Sequence, residues 1–219
     1  MKLPISDRLL ACCAFVHPGD RIADVGCDHG YLSIHLLTHG IAASAIASDL
    51  REGPLQSARD NAAKFGVHEK IEFCRSDGVQ NIPRDFDTLV CAGMGAHTMI
   101  SILESAPWLQ DPRYRMILQC QIKTPMLRQY LTAHGWYIRQ EAVLRDGKFL
   151  YTVMEVVFDP TMVRLTPGQC YISPVLSGED AAAYRQWVLK DLEKIVISRG
   201  EVAEPFMAAA LKELKEETI

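Results

Sequence analysis

Residues 21–32 read Arg-Ile-Ala-Asp-Val-Gly-Cys-Asp-His-Gly-Tyr-Leu, and a second acid, Asp49, closes the next apolar run at Ala45–Ser48. Ile22, Ala23 and Val25 form a short apolar stretch that stops at Gly26, and helical spacing starts after Gly30. That pattern is a buried strand, a tight turn and a helix. Asp24 lies inside the strand, where a charge is costly to bury unless something uses it. A glycine turn after the first strand lets the backbone approach a ligand, and an acid closing the second accepts hydrogen bonds from ribose hydroxyls. The pair predicts a site for a nucleoside cofactor.

The spacing suits a dinucleotide poorly. Asp28 falls where a Gly-x-Gly-x-x-Gly loop would open its backbone to a pyrophosphate, and Asp24 and Asp28 together would repel phosphates. Two carboxylates flanking the turn suit a ligand with an amino group and a sulfonium. The expected cofactor is therefore S-adenosyl-L-methionine rather than NAD.

Outward from this segment, strands and helices alternate. Strands are expected at Ala45–Ser48, Lys70–Cys74, Asp87–Cys91 and Arg115–Leu118, with helices at Glu52–Lys64, after Gly95 to Ser105, and at Thr124–Ala133. A short helix, Ser6–Val16, precedes the first strand. Such alternation means a parallel, doubly wound sheet. It is broken by two successive strands, Trp136–Leu144 and Phe149–Phe158, joined at Asp146-Gly147, a strong hairpin signal. The fold class is α/β: a Rossmann-like methyltransferase sheet of parallel strands with a final antiparallel hairpin, followed by a C-terminal α-helical hairpin. Residues 1–160 are expected to form the catalytic domain. Residues 161–219 are expected to hold a linker (161–177) and two helices. The first carries Tyr184, Trp187, Val188, Leu192, Ile195 and Val196 as one apolar stripe, and the second opens at Pro205.

The composition narrows the class further. The chain has 219 residues, 48% hydrophobic, enough for a full core. No apolar run approaches the roughly 18 residues a membrane helix needs, and no signal-peptide pattern opens the chain, so a cytoplasmic protein with no membrane partner is expected. The 7 cysteines are scattered without a metal-ligand spacing, so reduced thiols and no metal are expected. The formal net charge of −4 offers no basic excess of the kind nucleic-acid binders usually show.

Several segments together resemble the TrmK-type bacterial tRNA (adenine-N1) methyltransferases, which act on the adenine at position twenty-two of the D-arm. These are Ile22–Leu32, Arg51-Glu52-Gly53-Pro54, Ser76-Asp77-Gly78, Ala92-Gly93-Met94-Gly95, the opening Ser6-Asp7-Arg8-Leu9 and the hairpin from Glu141 to Val156. The likeness covers about residues 5–158, and the C-terminal helices match the family's coiled-coil appendage in kind. It implies S-adenosyl-L-methionine as cofactor and tRNA as partner; the oligomeric state is left open. The C-terminal helices follow a complete methyltransferase sheet, and Arg185, Lys190, Lys194 and Arg199 recur on the first, so they are expected against the tRNA body. Cofactor-binding positions implied by the turn and the resemblance are Arg8, Asp24, Gly26, Cys27, His29, Gly30, Asp49, Leu50, Asp77, Gly78, Gly93 and Met94. Asp28 is expected to act on the substrate adenine at N6 and Gln121 to place the base; a cofactor contact or helix cap is the alternative for Asp28.

Two positions depart from the family pattern. Ala96 stands where a further glycine is usual. Gln119-Cys120-Gln121 stands where Gln-Pro-Asn is usual, which lengthens the amide's reach by a methylene and is expected to loosen the loop. These departures, with the acidic charge balance, keep two alternatives open: a methyltransferase of a small molecule, and a cofactor-binding protein without activity.

Overall fold

The computed structural model describes residues 2–202 and 204–217. The chain opens with α1 (Asp7–Cys13), which Ser6 caps by accepting the Leu9 N–H. The first unit then forms as β1 (Arg21–Val25), α2 (Tyr31–Thr38), β2 (Ser44–Asp49), α3 (Glu52–Lys64) and β3 (Ile71–Arg75). The second comprises β4 (Thr88–Met94), α4 (Ala96–Glu104), β5 (Arg115–Cys120), α5 (Thr124–Ala133) and the hairpin β6 (Trp136–Asp146)–β7 (Phe149–Phe158). Strand order is β3-β2-β1-β4-β5-β7-β6-β8, where β8 is Leu176–Ser177. β1 to β5 run parallel and β7 enters antiparallel beside β5.

The central strands are apolar on both faces because helices cover both, as parallel sheets require. Ala23, Val25, Leu89, Cys91, Met116 and Leu118 belong to the core shared with α4 and α5. Ile22, Ala45, Ala47, Val90 and Ile117 belong to the opposite core, built with α1, α2 and α3.

Two details differ from the sequence reading. The hairpin loop is Gly147-Lys148, not Asp146-Gly147, because Asp146 stays on the strand opposite Phe149. Gly147 takes φ +59 at the first loop position, where a two-residue turn of the II′ kind wants glycine. The stretch expected as linker also holds regular structure. α6 (Pro167–Tyr171) starts with a capping box between Thr166 and Gln169, and β8 adds a parallel strand to β6. Pro and Gly read as linker signals, yet Pro167 sits at a helix N-terminus, where its missing N–H costs nothing.

α7 (Ala181–Arg199) and α8 (Pro205–Glu216) then fold onto β6 around a small third core. Its centre is Tyr184, Val188, Leu192, Ala210 and Leu214, with Val143 contributed by β6. Beneath it lies a fully buried ion pair. Arg128 donates to both Glu141 oxygens, at 2.6 and 3.1 Å, and to the carbonyls of Cys170 and Tyr171 at 2.9 and 3.0 Å. One side chain thus ties α5, β6 and α6 together.

Candidate active site

Parallel strands deliver their carboxyl ends to one edge of the sheet, and crevices at that edge are where α/β folds bind ligands. The register aligns them here: Val25 stands beside Ser48 and Cys91, Cys91 beside Leu118, and Asp49 beside Arg75. The turns that follow are therefore neighbours. They contain Gly26–Gly30, Leu50-Arg51, Ser76–Gly78, Gly93–Gly95 and Gln121–Lys123.

The first turn is held to its neighbour by the Gly26 and Cys27 N–H groups, which both donate to the Ser48 carbonyl at 2.8 and 2.9 Å. Gly26 has φ +72, a conformation that favours glycine, and a Cβ there would displace the end of the Met94 side chain. Asp24 points to the α2 side, where its Oδ2 accepts from Ser33 Oγ at 2.8 Å. Burial pushes its carboxyl up to about 6, against the pull of that hydrogen bond. A buried carboxylate costly to ionise is stabilised by a cationic amine docking beside it.

Asp49 is mostly buried, and its Oδ1 accepts the Arg51 N–H at 2.9 Å. Its Oδ2 has no hydrogen-bond partner among the described residues, which leaves an acceptor for a ribose hydroxyl. The Asp49 carbonyl takes the Ser76 N–H at 3.0 Å, drawing the Ser76–Gly78 turn alongside. Asp77 is exposed there, and Leu50, 58% exposed, offers an apolar face beside Asp49.

Beyond β4 the site is organised by a residue the sequence reading did not single out. Gln119, fully buried, accepts with Oε1 both the Gly93 N–H at 3.0 Å and Arg8 Nη1 at 2.9 Å. Arg8 also lies 4.0 Å from Asp146 and packs on Gly93 so closely that a Cβ there would come 2.9 Å from Nη1. A guanidinium has five donors, so Arg8 keeps some for a ligand carboxylate. Ser33, and the role of Gln119 as a bridge between Arg8 and Gly93, had no spacing signal, because both are polar residues inside otherwise apolar segments.

Cys27 and Gly30 lie on the same turn, with protein contacts of their own. The Cys27 thiol is buried in the core, and burial pushes its pKa up. Its N–H is already used by Ser48, so its contribution is to turn geometry. Gly30, at φ +72, is the residue before α2 and abuts Ala58 of α3. Gly78 likewise packs on Ile102.

The residues assigned to chemistry lie at the mouth. Asp28 takes φ +50, a left-handed conformation that Asp tolerates better than most residues. Its side chain is 65% exposed, with His29 Nε2 at 3.7 Å. It caps nothing: α2 begins after Gly30 with no side-chain cap. His29 is half-exposed and stacks on Tyr31 at 5.4 Å between ring centres.

The loop after β5 is tied by two hydrogen bonds. Gln121 N–H donates to the Met94 carbonyl at 2.8 Å, and the Cys120 thiol donates to the Ile122 carbonyl at 3.1 Å. The Gln121 amide itself is exposed.

A seven-strand core ordered 3-2-1-4-5-7-6, with a glycine turn after β1 and an acid ending β2, defines a Rossmann-like methyltransferase. The methyltransferase-domain family matches residues 5–154. The chain is 29% identical over 209 residues to the tRNA (adenine(22)-N(1))-methyltransferase of Bacillus subtilis, covering 94% of this chain and 76% of that protein. It is 31% identical to the Streptococcus pneumoniae putative tRNA (m1A22) methyltransferase crystallised with S-adenosyl-L-methionine, with TM-score 0.84 over 97% of this chain and 98% of that one. A Streptococcus agalactiae protein of the NADB-Rossmann superfamily superposes with TM-score 0.85 at 27% identity, over 99% and 98% of the two chains. The chain belongs to the TrmK-type tRNA (adenine-N1) methyltransferase family.

Proposed function

We propose that this protein transfers a methyl group from S-adenosyl-L-methionine to N1 of an adenine in the D-arm of tRNA, at position twenty-two. The observation that carries the reading is the turn itself. Asp24, Gly26 and Asp49 meet at one edge, with the exposed carboxylate of Asp28 on the same turn.

The residues present fit the cofactor. Asp49 Oδ2 is an unused acceptor at the end of β2, Asp24 awaits a cationic group, and Gly26 and Gly93 keep the edge free of side-chain bulk. Asp49 would take the ribose hydroxyls, Asp24 would answer the amino group of the methionine part, and Arg8 its carboxylate. Leu50 and Asp77 would meet the cofactor adenine, while His29, Gly93 and Met94 border the methyl-bearing end. When bound, the cofactor supplies an electrophilic methyl on a sulfonium.

The protein's own work is positioning and charge management. Adenine N1 has a free lone pair at neutral pH, so no base is needed before attack. Methylation leaves the ring positively charged and acidifies the N6 amino group. Asp28, partnered only at 3.7 Å by His29, accepts a hydrogen bond from N6, steadies that charge and can take the proton. Gln121 presents its amide to the base edge from the end of β5.

The setting is the cytoplasm, where all 7 cysteines, free in the structure, would stay reduced. Tritiated methyl transfer to unmodified tRNA transcripts, with the modified base mapped, tests the proposal. Label at N1 of the D-arm adenine is expected, and its loss when that adenine is replaced by guanine. Because the charge balance is acidic, a small-molecule acceptor is the second reading; binding of S-adenosyl-L-methionine without label on any tRNA would favour it.

A further inference from the structure

A cavity of about 620 Å³ lies beside the site, within the range of about 300–1,000 Å³ typical of ligand pockets. One wall is the loop Cys120–Lys123 and the start of α5; the other is made by β7, α7 and α8. Three facing residues of α7, spaced four apart, line it: Trp187, Asp191 and Ile195. They sit one step round the helix from Tyr184, Val188 and Leu192, which are buried in the third core and also line the cavity.

An apolar stripe on solvent is costly. Here Trp187 is 54% exposed, Ile122 63% and Met126 37%, around one cavity that also takes in Tyr151 and Phe206. The cavity adjoins the candidate active site at the loop after β5, where Gln121 lines it. Lys123 is the one basic side chain lining it among the described residues, and it stands at that junction with Nζ 3.0 Å from His97 Nε2. Asp191 and Glu204 also line it, the latter accepting from Arg199 at 2.8 Å; both disfavour an anion, and Asp191 can accept a hydrogen bond from an exocyclic amine.

Aromatic faces, one cation at the junction with the candidate active site and two carboxylates describe a receptor for a nucleobase with its phosphate left outside. We propose that the cavity is a second base subsite: it takes an unstacked nucleobase of the RNA strand adjoining the target adenine. The base stacks on Trp187, with Lys123 toward the intervening phosphate. This rests on the tRNA reading above and goes beyond it by giving the C-terminal helices a defined contact with single-stranded RNA.

The test uses the full chain, an unmodified tRNA transcript and, as an independent probe, single-stranded oligoadenylate. Trp187→Ala is expected to raise the KM for tRNA about 5- to 150-fold, the range of losing one base–aromatic stack. It should leave the KM for S-adenosyl-L-methionine within about twofold, and Trp187→Phe should restore most of the loss. Oligoadenylate should quench tryptophan emission in the natural protein and not in Trp187→Phe, since Trp136 is buried and Trp108 half-buried. Unchanged tRNA KM in Trp187→Ala would overturn the subsite while leaving the methylation reading standing. Equal weakening toward cofactor and tRNA would also overturn it. If no transcript is methylated, the functional reading fails separately, and the quenching titration still decides the cavity. Tyr151→Leu, on a different element, replaces Trp187→Ala should the latter unfold.

Discussion

Replacing Asp24 by Asn should stabilise the protein and weaken its cofactor binding at the same time. The carboxyl is buried against Ser33 and held at about 6 against an ordinary 3.8, chiefly by burial. Between those values the folded state binds more protons than the unfolded chain, so stability falls as pH rises from about 4 to about 6. Above that window the folded protein carries the whole penalty of an ionised buried acid. At about 1.4 kcal/mol per pKa unit, the gap amounts to about 3 kcal/mol. Asn has the same shape and no charge, so Asp24→Asn should recover up to about that much at pH 8 and almost nothing at pH 4. For a chain of this size that is a rise in melting temperature of about 6–12 °C. The assay is denaturant or thermal unfolding of both proteins without ligand from pH 4 to 8, beside calorimetry with S-adenosyl-L-methionine. The stability difference should climb through pH 4–6 and then level off, while cofactor affinity falls because the anion proposed to answer the ligand amine is gone. A stability difference that is flat with pH would refute the assignment of Asp24 as a strained ionisable group. Unchanged affinity would refute its role toward the cofactor.

Asp49→Ala should weaken S-adenosyl-L-methionine binding by about 1.5–3 kcal/mol, the loss of a charged hydrogen-bond acceptor, measured by calorimetry. Asp28→Asn should lower the turnover of tRNA methylation by about 10²–10³-fold with far less effect on cofactor affinity; a parallel fall in both would make Asp28 a cofactor contact instead. Arg128→Ala should destabilise the protein by about 3–5 kcal/mol in denaturant unfolding, because Glu141 would be left buried and unpaired. The double change Arg128→Met with Glu141→Leu should recover most of that loss.

The chain by itself determined the half of the protein that is local. A strand, a glycine turn and a helix lie within residues 21–38, so Ile22 to Thr38 could be read from spacing alone, and Asp49 from its place at the end of the next run. The alternation of strand and helix gave the parallel sheet, and the sheet brings those turns to one edge because parallel strands share a direction. What the sequence could not supply is the identity of partners distant along the chain. Gln119 joins Arg8 to Gly93 across 111 and 26 positions, and Arg128 meets Glu141 and the Tyr171 carbonyl, although no periodicity marks either. The same limit applies to α7. Its pattern fixes which residues are apolar, and reads as one stripe. Only the packing against β6 and α8 buries Tyr184, Val188 and Leu192 and leaves Trp187 half-exposed at the cavity. Periodicity encodes that a face needs cover; the tertiary structure decides what covers it, because burial is a property of two surfaces and the chain lists only one at a time.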